Sequence, residues 1–365
     1  MRFAFVGLGR ATRLYHVPAV RALADAAAVG GADPSEQQRA AWSAETGTPA
    51  FATLEELLER TSPEVVVVAT PPASHADLCI RALEAGAHVV CEKPFVTGAA
   101  EGDRVLAAAR AAGRQVAVNH QFRAKPIFRT VREAVREGRY GRLAFCQVWQ
   151  LMNLAPWEEP TAWRAGMSDR TLLEGGVHLV DLLLTTYGER PVGVSASHSA
   201  GLHADRDADA VQLVTLEFPG GRLGQITIDR VCRGGTRYLE LRADCERASL
   251  RASLGGRAFA RIGLKRAERP GVRLDVGLGG LAWAEQGERR TVLARSPRDT
   301  SAQATAALLA EIAPALRANR EPPSSGREAR DVIAVIEAAY ESAATGARVE
   351  PALGPAEREP EPQSR

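Results

Sequence analysis

Lysine is nearly missing from this chain. Of 46 basic residues only Lys93, Lys125 and Lys265 are lysines, which leaves 46 − 3 = 43 arginines. Ammonium is a compact donor with a tunable pKa, whereas guanidinium is a rigid fork that stays charged. A chain that writes arginine almost everywhere and keeps an ammonium at Lys93 marks that position. Cysteine is sparse as well. The five, at positions 79, 91, 146, 232 and 245, are dispersed and form no C-x-x-C. That excludes a disulfide framework and fits free thiols in a reducing cytoplasm. No apolar run is long enough to cross a bilayer, which excludes a helical membrane span. The first strand begins at residue 2, so no signal peptide is expected. Charge of one sign is lacking too. The net charge is +2 and no basic cluster stands out, so nucleic acid is not an expected partner. No internal repeat is visible.

What is present is an ordinary globular composition, 45% hydrophobic and 25% charged over 365 residues. That is enough chain for two domains with real cores. Val89-Val90-Cys91 runs into Glu92-Lys93 and stops at Pro94. The pattern predicts a buried parallel strand delivering Lys93 at its carboxyl end, where open α/β sheets bind ligands. A surface ion pair of Glu92 with Lys93 is the plainer alternative.

Arg2 to Val6 is apolar on both faces and leads into Gly7-Leu8-Gly9-Arg10-Ala11-Thr12. A helical stretch follows to about residue 27. Strand, glycine turn and helix form the context of a dinucleotide site, with pyrophosphate on the helix N-terminus. Thr12 stands where a third glycine would be; its hydroxyl could contact a phosphate. Asp33, after a second short strand, is placed to bind ribose hydroxyls, and its charge favours NAD over NADP. An Asp-Pro turn with Pro34 is the alternative. Val65 to Ala69 is a buried strand ended by Thr70-Pro71-Pro72. The helix after it carries His75 and Cys79, which lack a third ligand, so no metal site is expected. A helix over 99–112 and a strand over 115–118 complete a doubly wound unit ending at residue 122.

Beyond 122 the strands come without helices between them, over 143–152, 192–196, 210–218, 222–230, 237–243 and 249–253. Their alternation predicts a second, α+β domain over 123–350 with a large, mostly antiparallel open sheet. Helices over 301–318 and 326–345 close it, and residues 351–365 are expected to be loose. Leu172 to Asp181 opens a helix on which Glu174, His178 and Asp181 share a face. A carboxylate one turn before a histidine can hold it in one tautomer as acid/base. Trp149, Trp157 and Trp163, with Arg164 next in sequence, could form a sugar-stacking wall or could be core. Asn119, His120, Gln121 and Arg123 follow the sixth strand as candidate hydroxyl binders.

In their order and spacing, Gly7-Leu8-Gly9, Thr70-Pro71-Pro72 with His75, Glu92-Lys93-Pro94, and Gly176-Val177-His178-Leu179-Val180-Asp181 resemble the glucose-fructose oxidoreductase / inositol dehydrogenase (Gfo/Idh/MocA) family over nearly the whole chain. The resemblance implies an NAD(P)-dependent oxidoreductase acting on a CH–OH group of a sugar, cyclitol or related polyol. Lys93, His178 and Glu174 would be catalytic. Gly7, Gly9, Arg10, Ala11, Thr12, Asp33, Thr70, Pro71, Pro72, His75, Glu92 and Lys93 would hold NAD, the preferred cofactor, or NADP. Substrate would meet Asn119, Gln121, Arg123, Trp163, Arg164 and Asp181. The family pattern has Asp where this chain has Glu174. The resemblance further implies a cis Lys93–Pro94 bond and a homodimer or homotetramer formed through the C-terminal sheet. Two other readings stand beside it, a catalytically silent cofactor-sensing regulator and a reductase of C=C or C=N bonds.

Overall fold

A computed structural model describes residues 1–152, 171–200, 209–233, 239–254, 280–296 and 301–355. The first unit is a six-stranded parallel sheet in the order β3-β2-β1-β4-β5-β6. Its strands are β1 (Arg2–Val6), β2 (Ala27–Ala32), β3 (Ala50–Phe51), β4 (Val65–Val68), β5 (His88–Cys91) and β6 (Val116–Val118). Alternate residues feed two cores. Ala4, Val6, Val66, Val68, Val89 and Cys91 join one. Phe3, Phe5, Val65, Val67 and Val90 join the other. A sheet buried on both faces must read as continuous apolar runs, as these strands do. This is a Rossmann domain, and the order reverses between β1 and β4, where such sheets bind ligands.

Helices α1 (Val17–Arg21), α2 (Glu36–Thr46), α3 (Leu54–Thr61), α4 (His75–Glu84) and α5 (Ala99–Ala112) flank the sheet. The Thr53 side chain caps α3 by accepting from the Glu56 amide at 3.3 Å, while Glu56 returns a bond to the Ala52 amide. The first helix departs from expectation. It does not run unbroken to residue 27, because Thr12–His16 winds as a π-helix before α1 begins. Pro18 is the physical reason. It has no amide to offer the Leu14 carbonyl, so the ladder cannot keep its ordinary register there. The wide turn buries His16.

Among the described residues the second sheet has eight strands, in the order β14-β13-β12-β11-β7-β10-β9-β8. They are β7 (Leu143–Leu151), β8 (Gly193–Ser199), β9 (Val211–Phe218), β10 (Arg222–Asp229), β11 (Leu239–Cys245), β12 (Ala248–Leu254), β13 (Gly280–Gln286) and β14 (Arg289–Ser296). All pairings are antiparallel except β7 with β10. Helices α6 (Pro126–Arg136), α7 (Val177–Tyr187) and α9 (Gly326–Thr345) pack against it. Val214, Leu216, Ile226 and Ile228 are buried, while Leu213 and Leu223 are 48% and 43% exposed. Helix α8 (Ser301–Arg317) returns to the first unit. Its Leu308, Leu309, Ile312 and Leu316 share a core with Phe3, Phe5 and Val67.

The chain after residue 350 is not loose at first. Gly354 donates to Asp331 at 2.8 Å and accepts from Arg190, and Arg330 bonds the Ala352 carbonyl. Among the described residues no helix is long and apolar enough to cross a membrane.

Candidate active site

The glycine turn at the end of β1 is built for close approach. Gly7 has φ +84°, and a Cβ there would lie 2.7 Å from the Ala69 carbonyl oxygen, so only glycine fits. A Cβ on Gly9 would meet nothing within 4 Å. The first hydrogen bond of the helix runs from the Arg13 amide to the Gly9 carbonyl at 3.2 Å. The amides of Arg10, Ala11 and Thr12 precede that bond and are the helix's unsatisfied donors. Thr12 itself is buried and its hydroxyl donates to the Gly7 carbonyl. A phosphate contact from that hydroxyl is therefore corrected: it closes the turn instead. Asp33 follows β2 and accepts from the Leu8 amide and the Ser35 amide, both at 2.9 Å. Its carboxylate thus lies against the glycine turn.

Thr70 and Pro71 lie at the end of β4 with Pro72 buried behind them. His75 is fully buried. One ring nitrogen meets the Thr70 carbonyl at 2.8 Å, and the other meets the carbonyls of Pro94 and Phe95 at 2.9 and 3.3 Å. Burial lowers its pKa against the pull of those carbonyls. Both nitrogens face carbonyls at the β4 and β5 ends, and the neutral ring donates to one side only, so the ring sits between the two strand ends. Among the described residues no group of three His, Cys, Asp or Glu could hold a metal.

Glu92 and Lys93 emerge at the end of β5, and the Lys93–Pro94 bond is cis, as the resemblance implies. Glu92 is a buried hub. One oxygen meets His16 Nε2 and Asn119 Nδ2, each at 2.7 Å, and the other accepts from the Lys93 amide at 3.1 Å. Burial alone would push its carboxyl up. The bond and charge of His16, then Lys93 and Asn119, outweigh burial and hold it at about 2. Asn119 also donates to Thr305 in α8. Its amide nitrogen is thus engaged inside the protein. His16 is a member of this hub that sequence reasoning missed. It lies far from Glu92 in the chain, and only the π-helical turn aims it there.

Lys93 Nζ reaches across to donate to the Glu174 carbonyl at 3.2 Å. Glu174 lies in a second π-helix, Thr171–Gly176, which runs into α7. The expected pairing of the Glu174 carboxylate with His178 is not formed. Among the described residues it meets the buried Arg230 guanidinium at 3.7 Å. The π-register departs from the four-residue spacing that pairs side chains, and a full cation outcompetes a neutral imidazole. His178 is 6% exposed, and its Nδ1 has no hydrogen-bond partner among the described residues. Its ring lies 4.4 Å from that of Phe122 and 6.3 Å from that of His120, centroid to centroid. Burial, then the charges of Lys93, His120 and Lys125, hold His178 well below the usual histidine range. Lys125 is itself buried, with its ammonium over the Phe122 ring. His120 was expected as a candidate hydroxyl binder, and Lys125 had no site role assigned from sequence.

Arg123 and Asp181 are also corrected. Arg123 Nε donates to both Asp181 oxygens at 2.9 and 2.8 Å, and its NH1 bonds Glu328 at 2.6 Å. Glu328 is in turn the capping-box residue of α9. Both groups are spent inside the protein, so neither is available to substrate. Gln121 is buried, and its Oε1 has no hydrogen-bond partner. Trp149 sits on β7 between Val148 and Gln150, both buried on the helix-covered face, so it points to the other face. It belongs to no wall of this site. Trp157, Trp163 and Arg164 lie outside the described residues.

With that geometry in hand, comparison with known proteins is direct. A family model described as an oxidoreductase family with an NAD-binding Rossmann fold matches residues 1–120, and one described as the GFO/IDH/MocA C-terminal domain matches residues 128–251. The chain belongs to the Gfo/Idh/MocA family of oxidoreductases. It is similar to the 1,5-anhydro-D-fructose reductase of Ensifer adhaerens, 29% identical over 61% of this chain and 68% of that one. It is also similar to the scyllo-inositol 2-dehydrogenase (NADP(+)) of Bacillus subtilis, 31% identical over 47% of each chain. The match thus spans about two thirds of one relative and half of the other. Among solved structures, an oxidoreductase from Agrobacterium radiobacter in complex with NAD+, L-tartaric acid and magnesium superposes with a TM-score of 0.82. It is 16% identical, with 96% of this chain and 98% of that chain covered. At that identity the likeness speaks for the fold.

Proposed function

We propose that the protein moves a hydride between NAD(P) and a secondary alcohol or ketone carbon of a sugar, cyclitol or related polyol. The observation that carries this reading is the meeting of Lys93 with the turn that leads into His178. One residue comes from the end of a parallel strand, the other from a helix under the second sheet. An ammonium donor and a neutral imidazole are the pair that alcohol oxidation requires.

The glycine turn fits a dinucleotide. The open space at Gly9 and the amides of Arg10, Ala11 and Thr12 would take the pyrophosphate, and Asp33 the ribose hydroxyls. Two amide bonds leave lone pairs on the Asp33 carboxylate for a diol. That carboxylate repels a 2′-phosphate, and Arg39 spends NH1 on the Asp33 and Pro34 carbonyls, which favours NAD over NADP. When bound, the cofactor supplies or accepts the hydride. Lys93 donates to the reacting oxygen and stabilises developing alkoxide charge. His178, neutral because burial and the two lysines disfavour its charge, takes the hydroxyl proton in oxidation and returns it in reduction. The curated relatives carry names of sugar and inositol enzymes, which supports this substrate class.

The second sheet keeps Leu213 and Leu223 exposed on the face that no described helix covers. A second copy would cover them, giving a dimer or tetramer with sheets face to face. Light scattering at micromolar concentration tests this, and a monomer alone would contradict it. The proposed setting is the cytoplasm, where free thiols persist. The deciding experiment for the reaction is a panel of sugars, cyclitols and polyols with NAD+ and NADP+, read by nicotinamide fluorescence. Turnover with NAD+ is expected; binding of neither cofactor would overturn the reading.

A further inference from the structure

Among the described residues, three imidazole nitrogens beside the proposed reacting centre lack a hydrogen-bond partner. They are His178 Nδ1 and both ring nitrogens of His120. Both side chains are more than nine-tenths buried. Buried polar atoms are almost always satisfied, so two such neighbours together call for an account. Their rings stand edge to face at 85° with centroids 6.3 Å apart. That spacing leaves no direct hydrogen bond and suits one bridging water with polar partners on both sides. A base histidine needs its second nitrogen held, and Glu174, engaged by Arg230, does not hold it.

We infer that His120 is the positioning residue of this site: it holds His178 through one bridging water and takes the proton that His178 receives, with Asp181 behind it. Asp181 Oδ1 lies 3.8 Å from His120 Nδ1. The charged surroundings of the two rings differ in sign. Facing His178 are Lys93 from the end of β5 and Lys125 before α6, which both oppose its charging, as does His120 itself. For His120 burial is the largest influence and lowers its pKa, with Arg123 adding to it; Asp181 from α7, Glu328 from α9 and Glu92 from the end of β5 pull the other way. A proton arriving on His178 therefore moves toward His120.

The step rests on the reaction proposed above, and it balances. The carbon–hydrogen bond of the alcohol breaks with its electron pair, which reduces the oxidised nicotinamide. The hydroxyl proton goes to His178 and on to His120, and a ketone remains.

The test uses the full chain with His120→Phe and His120→Gln. With a substrate from the panel, His120→Phe is expected to lower kcat about tenfold to a hundredfold, within or just below the usual worth of positioned proton transfer. KM and cofactor affinity should hold. The acid limb of kcat should move to lower pH, because the more easily charged partner is gone. His120→Gln, which restores a polar atom, should recover part of kcat. An unchanged kcat and acid limb in His120→Phe would overturn the inference. Nitrogen-15 NMR of the histidine rings decides it without turnover. In the wild type both rings should titrate as a coupled pair in two steps, and His178 should titrate in one step in His120→Phe. Independent single-step titrations in the wild type would overturn it. A wild type that turns over no substrate but shows the coupled pair would overturn the reaction and keep the pairing.

Discussion

Glu92 and Asp181 are both buried carboxylates beside the cleft, one from each side of it, and they are held by different chemistry. Glu92 ends a strand of the parallel sheet and takes its bonds from an imidazole, an amide side chain and a backbone amide. Asp181 sits in α7 and is clamped through both oxygens by the Arg123 guanidinium, which also holds Glu328. A guanidinium stays charged at any working pH, so the Asp181 cluster is fixed. Among the described residues, Glu92 has no guanidinium among its partners. The partner, more than the burial, separates the two carboxylates.

The largest expected effect tests the fixed cluster. Asp181→Asn leaves a buried guanidinium with one carboxylate partner. Breaking a buried pair from one side costs about 3–5 kcal/mol. Glu92→Gln leaves no bare guanidinium and should cost nearer ~1–3 kcal/mol, the scale of an unsatisfied buried bond. Urea denaturation of the two variants measures the difference, and equal losses would erase the distinction.

Next comes the residue that Glu92 adjoins. Lys93→Ala should lower kcat by roughly 10²–10³, about 2.7–4 kcal/mol, with the folding midpoint little changed. Lys93→Arg should fail nearly as badly, since a bulkier fork cannot replace a compact donor at the Glu174 carbonyl. Near-full kcat in Lys93→Arg would reduce the lysine to a positive charge in a cleft.

Acid should separate the clusters as well. Glu92 is held at about 2 against an ordinary 4.5. A depressed carboxyl contributes stability that is present above 4.5 and lost as pH falls toward 2. The 4.5 − 2 = 2.5 units correspond to about 3 kcal/mol. His75, His120 and His178 are all lowered by burial, so the unfolded chain takes up protons first below about 6.5. Stability should therefore begin to fall near pH 6 and fall further below 4.5. Melting curves from pH 7 to 3 read this. Glu92→Gln should flatten the lower half only, and an unaltered slope there would remove Glu92 from the account.

Both sheets were legible from sequence because their periods differ. Val65 to Val68 is apolar without a break, while Val211 to Leu216 alternates, and those patterns are what burial on two faces and on one face demand. Helix α2 was not legible. Its sequence is mostly polar and buries Trp42 alone, so no stripe announces it. The site was legible where a backbone rule fixes it, at Gly7 and at the end of β5. It was misread wherever a polar side chain had two possible partners. Arg123 and Asp181 look like ligand binders in a linear motif, yet each is engaged by a group distant in sequence. His16 and His120 were invisible as partners because a π-helical turn and the packing of α7 bring them in. Periodicity encodes faces; it does not encode which acceptor wins a donor.

The smallest effect belongs to Glu174, and it tests the correction made at this site. Its carboxylate meets Arg230 at 3.7 Å, a loose pair, and Arg230 keeps a contact to the Thr171 carbonyl at 3.5 Å. Glu174→Gln preserves shape and removes charge. Its backbone carbonyl, which receives Lys93, is untouched. KM should rise less than about tenfold, with kcat and its pH dependence nearly unchanged. A carboxylate that holds a catalytic imidazole in its tautomer is worth far more, about 10⁴ in kcat in the serine-protease triad. Steady-state kinetics across pH 5 to 9 separate the two. A drop of that size, with a displaced acid limb, would put Glu174 behind His178 after all and leave His120 without its task.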